Sequence, residues 1–362
     1  MAEKVDVLVV GAGPAGSMTA RFAAEKGVSV KIIERRGEVG VPVRCGELVP
    51  SLEETRGTFP NAPDLENTLD IPSYLIARQI EGMRFISPKG RVTEFPFTGV
   101  TVDRDRFDQH LASEAVRAGA ELVRGCSFLR IEDGIAVTEG GEIEYKVIVG
   151  ADGPTSRVSR ELGLPRNRNP YPAVSSIAKG DFEPVIQMYF GGIAPGAYSW
   201  IIPKSGCANV GVGFAPKFSD GKPTEYFRQF AEKQGLDIIQ EVHGKYVPSE
   251  GPIKRTVSGN GLVVGDAAGQ VASVNGGGIP QAMISGRICG NVVADHILKG
   301  RPLEDYDSGF RAAIGKPLKT AAFNKKLADT LAFGSDRRTD LCMRILGQRR
   351  MANLVRCMRI FP

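Results

Sequence analysis

The sequence predicts an α/β protein in which a mostly parallel sheet is discontinuous along the chain, with an antiparallel-sheet domain inserted in it and a helical segment after it. Three observations carry this. Residues 5–10 run straight into a glycine turn and an Ala-rich stretch, and residues 261–266 repeat the pattern of strand and glycine turn late in the chain. Between them, residues 174–214 change to a period of two. A chain of 362 residues is also longer than one core usually carries.

Taken in order, residues 5–10 (VDVLVV) are the β-branched run of a strand buried on both faces. Residues 11–27 form a turn and a helix that glycine ends, and 28–33 a second strand, which completes a β-turn-α-β unit. Residues 37–72 are polar and rich in Pro and Gly, and are expected to be mostly loop. Short strand pieces flank a Ser87-Pro88-Lys89-Gly90 turn over 80–97, and a helix follows over 106–118. Strands over 121–123, 127–132, 135–139 and 142–149 lead back to Gly150-Ala151-Asp152-Gly153. In 208–214, Ala208, Val210, Val212 and Phe214 share one face and Asn209, Gly211 and Gly213 the other, so an antiparallel sheet with one apolar face is expected. A helix over 223–235 and a strand near 242–247 end this block, before the strand over 261–266 and a helix over 278–298. The boundaries that follow are 1–72, 100–170 and 255–300 for the discontinuous domain, 73–99 and 171–254 for the inserted one, and 301–362 for the C-terminal helical segment.

Composition narrows the function classes. Hydrophobic residues at 42 % and charged residues at 24 % exclude extensive disorder, collagen and a multi-span membrane protein. The net charge of +5 is too mild to call for nucleic acid. The basic surplus is C-terminal, since residues 301–362 hold 13 Lys/Arg against 6 Asp/Glu. Six cysteines without a CxxC pair, and with no His-rich partner, indicate neither a metal site nor a disulfide framework, and fit a reducing, cytoplasmic compartment. No uncharged apolar run reaches the 18 or so residues of a spanning helix, and no signal peptide is evident. Glycine, with 44 residues, is well above the usual level of roughly 7 %, which points to tight turns and close approach to bare backbone.

Gly11-Ala12-Gly13-Pro14-Ala15-Gly16 opens the first helix, and Glu34 ends the second strand with Arg35 beside it. Gly11 permits the tight turn, Gly13 lets a pyrophosphate reach the backbone, and Gly16 lets helix pack on strand. The helix N-terminus supplies free N–H donors to the phosphates, and Glu34 accepts from ribose hydroxyls. This fingerprint leaves NAD and FAD open.

Further motifs decide between them: Asp103-Arg104-Asp105-Arg106-Phe107-Asp108 before a helix, Ala151-Asp152-Gly153 after a strand, and Gly265-Asp266-Ala267-Ala268-Gly269 followed by Gly276-Gly277-Gly278-Ile279. With these the chain resembles the flavoprotein superfamily that includes para-hydroxybenzoate hydroxylase. Within it, the chain resembles the geranylgeranyl reductase family through Pro42-Val43-Arg44-Cys45-Gly46-Glu47, Tyr198-Ser199-Trp200-Ile201-Ile202-Pro203-Lys204 and residues 208–213. The resemblance spans roughly residues 4–300 and implies a Rossmann-like FAD-binding domain. It implies that Gly11, Gly13, Pro14, Ala15, Gly16, Glu34 and Arg35 hold the adenosine diphosphate half of FAD. Arg104 would contact the cofactor from its helix start, and the Phe128 backbone would border the adenine. Asp152 and Gly265 are carried over with their motifs. Asp266 would bind the ribityl chain, and Gly277, Gly278 and Ile279 would face the pyrimidine edge of the ring system.

Arg44, Cys45 and Gly46 would sit beside that ring system. Cys45, the candidate catalytic residue, is read as a proton donor, a redox partner or a small wall of the pocket. Tyr198, Trp200 and Ile202 alternate onto one strand face, which the resemblance makes the wall of a polyprenyl tunnel and which pattern alone reads equally as sheet core. The sequence departs from the family at Ile202, where Phe is usual, and at Ala272-Ser273-Val274-Asn275, which lacks the usual proline. Those departures bear on substrate length and position, not on the cofactor.

The expected activity is FAD-dependent reduction of C=C bonds in geranylgeranyl groups on lipids, in archaeal-type membrane lipid biosynthesis. With one dinucleotide fingerprint in the chain, electrons are expected from transient NAD(P)H or from a ferredoxin-like protein. An aromatic monooxygenase and a flavin electron carrier are the rival readings; the first would hydroxylate an aromatic acid with oxygen, the second would transfer electrons without lipid product. The C-terminal arginines, Arg337, Arg338, Arg349, Arg350, Arg356 and Arg359, with apolar residues between them, are read as a solvated helix face or as a peripheral contact with anionic lipid or an acidic electron carrier.

Overall fold

The computed structural model describes residues 2–361. The chain opens with β1 (Glu3–Val10), α1 (Pro14–Ala24) and β2 (Val30–Glu34), the expected β-turn-α-β unit. Strand β1 pairs in parallel with β2, Val9 opposite Ile32. The segment over 37–72 carries more structure than its composition suggests: β3 (Leu48–Pro50), α2 (Leu52–Thr58) and α3 (Leu65–Thr68). Helix α2 starts where Ser51 Oγ accepts the Glu54 N–H at 3.2 Å, with Glu53 and Glu54 in its first turn. The short pieces expected over 80–97 are two long strands, β4 (Ile76–Ile86) and β5 (Val92–Val102), paired across the Ser87–Gly90 turn. Their bulges, near Ile76 and Ile80, break the alternation that would have marked one continuous element.

Helix α4 (Arg104–Arg117) follows, then β6 (Glu121–Arg124), β7 (Phe128–Glu132), β8 (Ile135–Thr138), β9 (Gly141–Gly150) and α5 (Arg157–Glu161). The inserted block comprises β10 (Tyr171–Lys179), β11 (Val185–Tyr189), β12 (Ser199–Lys204), β13 (Cys207–Gly213), α6 (Pro223–Gln234), β14 (Asp237–Ile238) and β15 (His243–Val247). The chain returns through β16 (Val257–Ser258), β17 (Gly261–Val263) and α7 (Ile279–Lys299), and ends in α8 (Asp305–Phe310), α9 (Lys316–Leu331) and α10 (Asp336–Val355).

Two sheets result. The first has the order β16-β17-β9-β1-β2-β6, with β7 and β8 attached beside β9. It is parallel from β17 to β6, and β16 and β8 run antiparallel. The second has the order β14-β10-β13-β12-β11-β4-β5-β3, with β15 on β10. It is antiparallel except where β11 meets β4. Strand β3 pairs with β5, so Leu48–Pro50 joins the second sheet although it lies within 1–72.

The second sheet is covered on both faces. Ala208, Val210 and Val212 pack with Phe227 and Phe230 of α6. Trp200, Ile202, Met188 and Phe85 on the opposite face pack with Met343, Met351 and Val355 of α10. The face of β13 that carries Asn209, Gly211 and Gly213 therefore points inward, not to solvent. Helix α10 is broken at Gly347, whose backbone is at φ 63°, ψ 179°. Among the described residues no helix is long and apolar enough to cross a membrane.

Candidate functional site

One cavity of about 1300 Å³ lies between the two sheets and α10. Gly11, Gly13, Pro14, Ala15, Glu34, Arg35, Arg44, Cys45, Gly46, Arg104 and Phe128 line it. So do Asp152, Asp266, Gly277, Gly278, Ile279, Tyr198, Trp200 and Ile202. Gly16 and Gly265 do not. A Cβ on Gly16 would lie 1.9 Å from the Gly11 carbonyl oxygen, and one on Gly265 would lie 2.7 Å from the Ala15 Cβ. Both glycines let α1 pack closely.

The polar arm of the cavity is built from backbone. Helices α1 and α7 open on it from Gly13 and Gly278, and neither end has a side-chain cap. A Cβ on Gly13 would meet nothing within 4 Å, so bare backbone faces open space there. Glu34 braces the turn by accepting the Ala12 N–H at 2.9 Å and the Arg36 N–H at 3.0 Å. Arg44 Nε, Thr55 Oγ1, Ser273 Oγ and Gln281 Oε1 are buried without hydrogen-bond partners, and all four residues line this same cavity. Two open helix N-termini with unpaired buried polar atoms nearby suit a ligand that carries phosphates and polar ring edges. The residues present therefore fit a flavin dinucleotide.

Several of these residues also have protein partners of their own. The Asp152 carboxylate accepts from Ser156 Oγ at 2.5 Å, Arg157 N at 2.6 Å and Val158 N at 3.1 Å, so it ties down the start of α5, which Ser156 caps. Burial raises its pKa, outweighing those donors. Arg104 grips Asp108 through Nε and Nη2, at 2.9 and 2.8 Å. Burial works against its charge, but Asp108 and Cys45 hold its pKa above the ordinary value. The Phe128 ring packs into the core of the first sheet, while its carbonyl accepts from Arg157 Nη1 at 2.9 Å. Asp266 is paired with Lys245 at 2.7 Å. Burial opposes the Lys245 charge, and Asp266 and then Cys45 raise its pKa above the usual value.

The apolar arm is a wall of side chains. Trp200, Tyr198, Phe190 and Phe85 follow one another with ring centroids 6.0, 6.1 and 5.1 Å apart. The Tyr198 hydroxyl donates to the Asn275 carbonyl beside the glycine cluster, which ties the wall to the start of α7. Burial pushes the Tyr198 phenol above its ordinary pKa. Met343, Leu346 and Met351 of α10 close the arm. The C-terminal stretch is thus a cavity wall on its inner side, and Leu341 and Ile345 stand exposed on its outer side among the arginines.

At the junction of the arms lies a buried polar group that sequence reading missed. Glu47, 1 % exposed and at φ 64°, accepts from Lys204 Nζ at 3.0 Å on both carboxylate oxygens. It also accepts the Arg104 N–H at 3.1 Å and Asn209 Nδ2 at 3.0 Å. Lys204 has a second partner in Asp103. Burial lowers the Lys204 pKa, and Glu47 and Asp103 more than reverse it. The Glu47 N–H in turn donates to Cys45 Sγ at 3.3 Å. Glu47 and Lys204 stood in the quoted motifs, but nothing local marked them as partners.

A second missed cluster lies at the far end of the cavity. Lys325 Nζ meets the Tyr171 hydroxyl at 2.7 Å and the Asp329 carboxylate, and lies 4.2 Å from the Tyr171 ring centroid. Burial brings the Lys325 pKa down to about 8 in spite of Asp329.

Comparison with known proteins identifies the family. Residues 4–49 match the FAD binding domain family and residues 175–245 the geranylgeranyl reductase catalytic domain family. A digeranylgeranylglycerophospholipid reductase of Methanosarcina acetivorans is 38 % identical, across 87 % of this chain and 82 % of the relative. One from Methanocaldococcus jannaschii is 37 % identical, across 81 % and 77 %. The crystal structure of a geranylgeranyl bacteriochlorophyll reductase-like protein from Thermoplasma acidophilum superposes with a TM-score of 0.84 at 27 % identity, covering 95 % of this chain and 92 % of that one. A flavin-dependent brominase shares the fold alone, with a TM-score of 0.69 at 19 % identity. On these grounds the chain belongs to the geranylgeranyl reductase family of flavoproteins.

Proposed function

We propose that this protein is an FAD-dependent reductase of the C=C bonds of geranylgeranyl groups on archaeal-type membrane phospholipids. The observation that carries this reading is a single cavity whose backbone-lined, phosphate-suited arm runs into an arm walled by Trp200, Tyr198, Phe190 and methionines. Reduced FAD, when bound, supplies a hydride to one alkene carbon, and a proton must reach the other. Gly11, Gly13, Ala15 and Glu34 would hold its adenosine diphosphate half, Asp266 with Lys245 would face the ribityl chain, and the N–H groups of Gly278 and Ile279 would face the ring edge. Arg44 and Gly46 would lie beside the ring. Cys45, at the junction of the arms, or a water would supply that proton.

An isolated alkene offers no polar handle, so catalysis depends on orientation in a dry slot. The apolar wall excludes water and aligns the chain, with Tyr198, Trp200 and Ile202 as substrate contacts. Electrons arrive from NAD(P)H or a ferredoxin-like protein. The outer face of α10 favours contact with an anionic membrane: Leu341 and Ile345 are exposed, and Arg337, Arg338 and Arg344 flank them on one helical face. Ile345→Glu is expected to reduce co-sedimentation with anionic phospholipid vesicles several-fold.

Anaerobic incubation of the dithionite-reduced protein with a digeranylgeranylglycerophospholipid tests the function. Mass spectrometry should show the lipid gaining hydrogen in pairs. Untouched lipid, together with hydroxylation of an aromatic acid in air, would overturn it.

A further inference from the structure

Asn209 looks from its sequence context like one polar residue on the plain face of a strand. In the structure it is 2 % exposed and joins the two arms of the cavity. Its Nδ2 donates to the Cys45 carbonyl at 2.8 Å and to Glu47 Oε2 at 3.0 Å, and its Oδ1 accepts from Trp200 Nε1 at 2.8 Å. These partners fix the amide's orientation, because the indole can only donate and the carbonyl and carboxylate can only accept.

The same hairpin, β12 with β13, touches three successive residues of the Cys45 loop. Asn209 holds the Cys45 carbonyl, Ile202 Cδ1 sits 2.9 Å from where a Gly46 Cβ would be, and Lys204 holds Glu47. On the neighbouring strand Gly211 lies opposite Trp200, and a Cβ there would come within 2.2 Å of the indole. The glycine gives the ring its berth, and the hydrogen bond to Asn209 sets the ring's angle within it.

We propose that Asn209 is a positioning residue: by tying the Cys45 loop to Trp200 it fixes the apolar wall relative to the reacting end, and so selects which C=C bond of a polyprenyl chain is reduced. This rests on the reductase reading above. A polyprenyl chain repeats every isoprene unit and makes no hydrogen bonds, so it can slide along a featureless slot. The choice of alkene must come from the spacing between a fixed wall and the reacting position, and small displacements of that spacing carry large rate effects. Alanine at 209 leaves the indole N–H and the Cys45 carbonyl unpaired. Aspartate keeps an acceptor for the indole but loses the donors to Cys45 and Glu47.

The test compares wild type with Asn209→Ala, Asn209→Asp and Trp200→Phe, reading flavin content, the emission of the single tryptophan, and the partially reduced products of a geranylgeranyl phospholipid. Flavin content should match wild type in all three. Emission should shift in Asn209→Ala and stay near wild type in Asn209→Asp. All three should change the ratio of products reduced at different positions, by about tenfold. If wild type reduces the lipid and the soluble variants all give its product ratio, the proposal is overturned while the reductase reading stands. If wild type leaves the lipid unreduced, both fall. Should Asn209→Ala not fold, Asn209→Asp and Trp200→Phe decide the matter alone.

Discussion

Around β1 and α1 the cavity wall is backbone, with glycines, uncapped N–H groups and one carboxylate bracing the turn. Around the β12–β13 hairpin it is side chain, with an indole, an amide, an ammonium and the Glu47 carboxylate locked together out of water. The first region makes its donors from chain geometry and tolerates almost any neighbour that keeps the turn. The second depends on specific partners, and losing one leaves a buried polar group unsatisfied. Backbone sites therefore fail by obstruction, and side-chain sites fail by orphaning.

The largest expected effect tests obstruction. Gly13→Val places a branched side chain in the open space before α1, and the purified protein should be colourless. Full flavin absorbance in that variant would remove the contrast between the regions. Next comes orphaning. Glu47→Ala leaves Lys204 inside with Asp103 alone, and should destabilise the fold by about 3–5 kcal/mol, read by denaturant unfolding. A loss of only a few tenths would mean that the junction is not held by its charges. A smaller, purely functional change is expected from Trp200→Ala, which should keep its flavin and alter which alkenes are reduced, read by mass spectrometry. An unchanged product profile would make that face ordinary sheet core.

The smallest effect is a slope. Lys325 has its folded pKa lowered to about 8 from an ordinary 10.5, so folding holds the proton less well than the unfolded chain does. Below about pH 8 both states are protonated and the burial cost is fully present. Between there and about 10.5 the unfolded chain binds more protons, so stability rises with pH. Lys325→Met should flatten that rise in the unfolding midpoint, and an unaltered slope would show that folding does not weaken the group's hold on its proton.

The legibility of the chain divides along the same line. The β-turn-α-β unit was readable because each part is local: a β-branched run, glycines at fixed offsets, an acid at a strand end. The start of α2 is not readable in the same way: Ser51 and Glu54 have the spacing of a helix cap, but the Pro and Gly around them make the segment read as loop. Glu47 and Lys204 were unreadable as a pair because 157 residues separate them, and a charged residue in a polar loop reads as solvated. Asn209 and Gly211 were assigned to a plain face because alternation says which residues share a side, and not what covers that side. The C-terminal helix reads as a solvated face or a peripheral contact, and not as a cavity wall, for a related reason. Its arginines dominate the composition, while Met343 and Met351, which face inward, contribute nothing to charge.

The break at Gly347 has a geometric consequence. Twenty helical residues in one straight rod would span about 30 Å, and a strongly twisted sheet is saddle-shaped beneath it. A rod touches a saddle near one point and lifts away on either side. With the helix broken at Gly347, Met343 before the break and Met351 after it both reach the core of the second sheet. Both halves of the helix then cover the apolar arm, as an oily substrate requires.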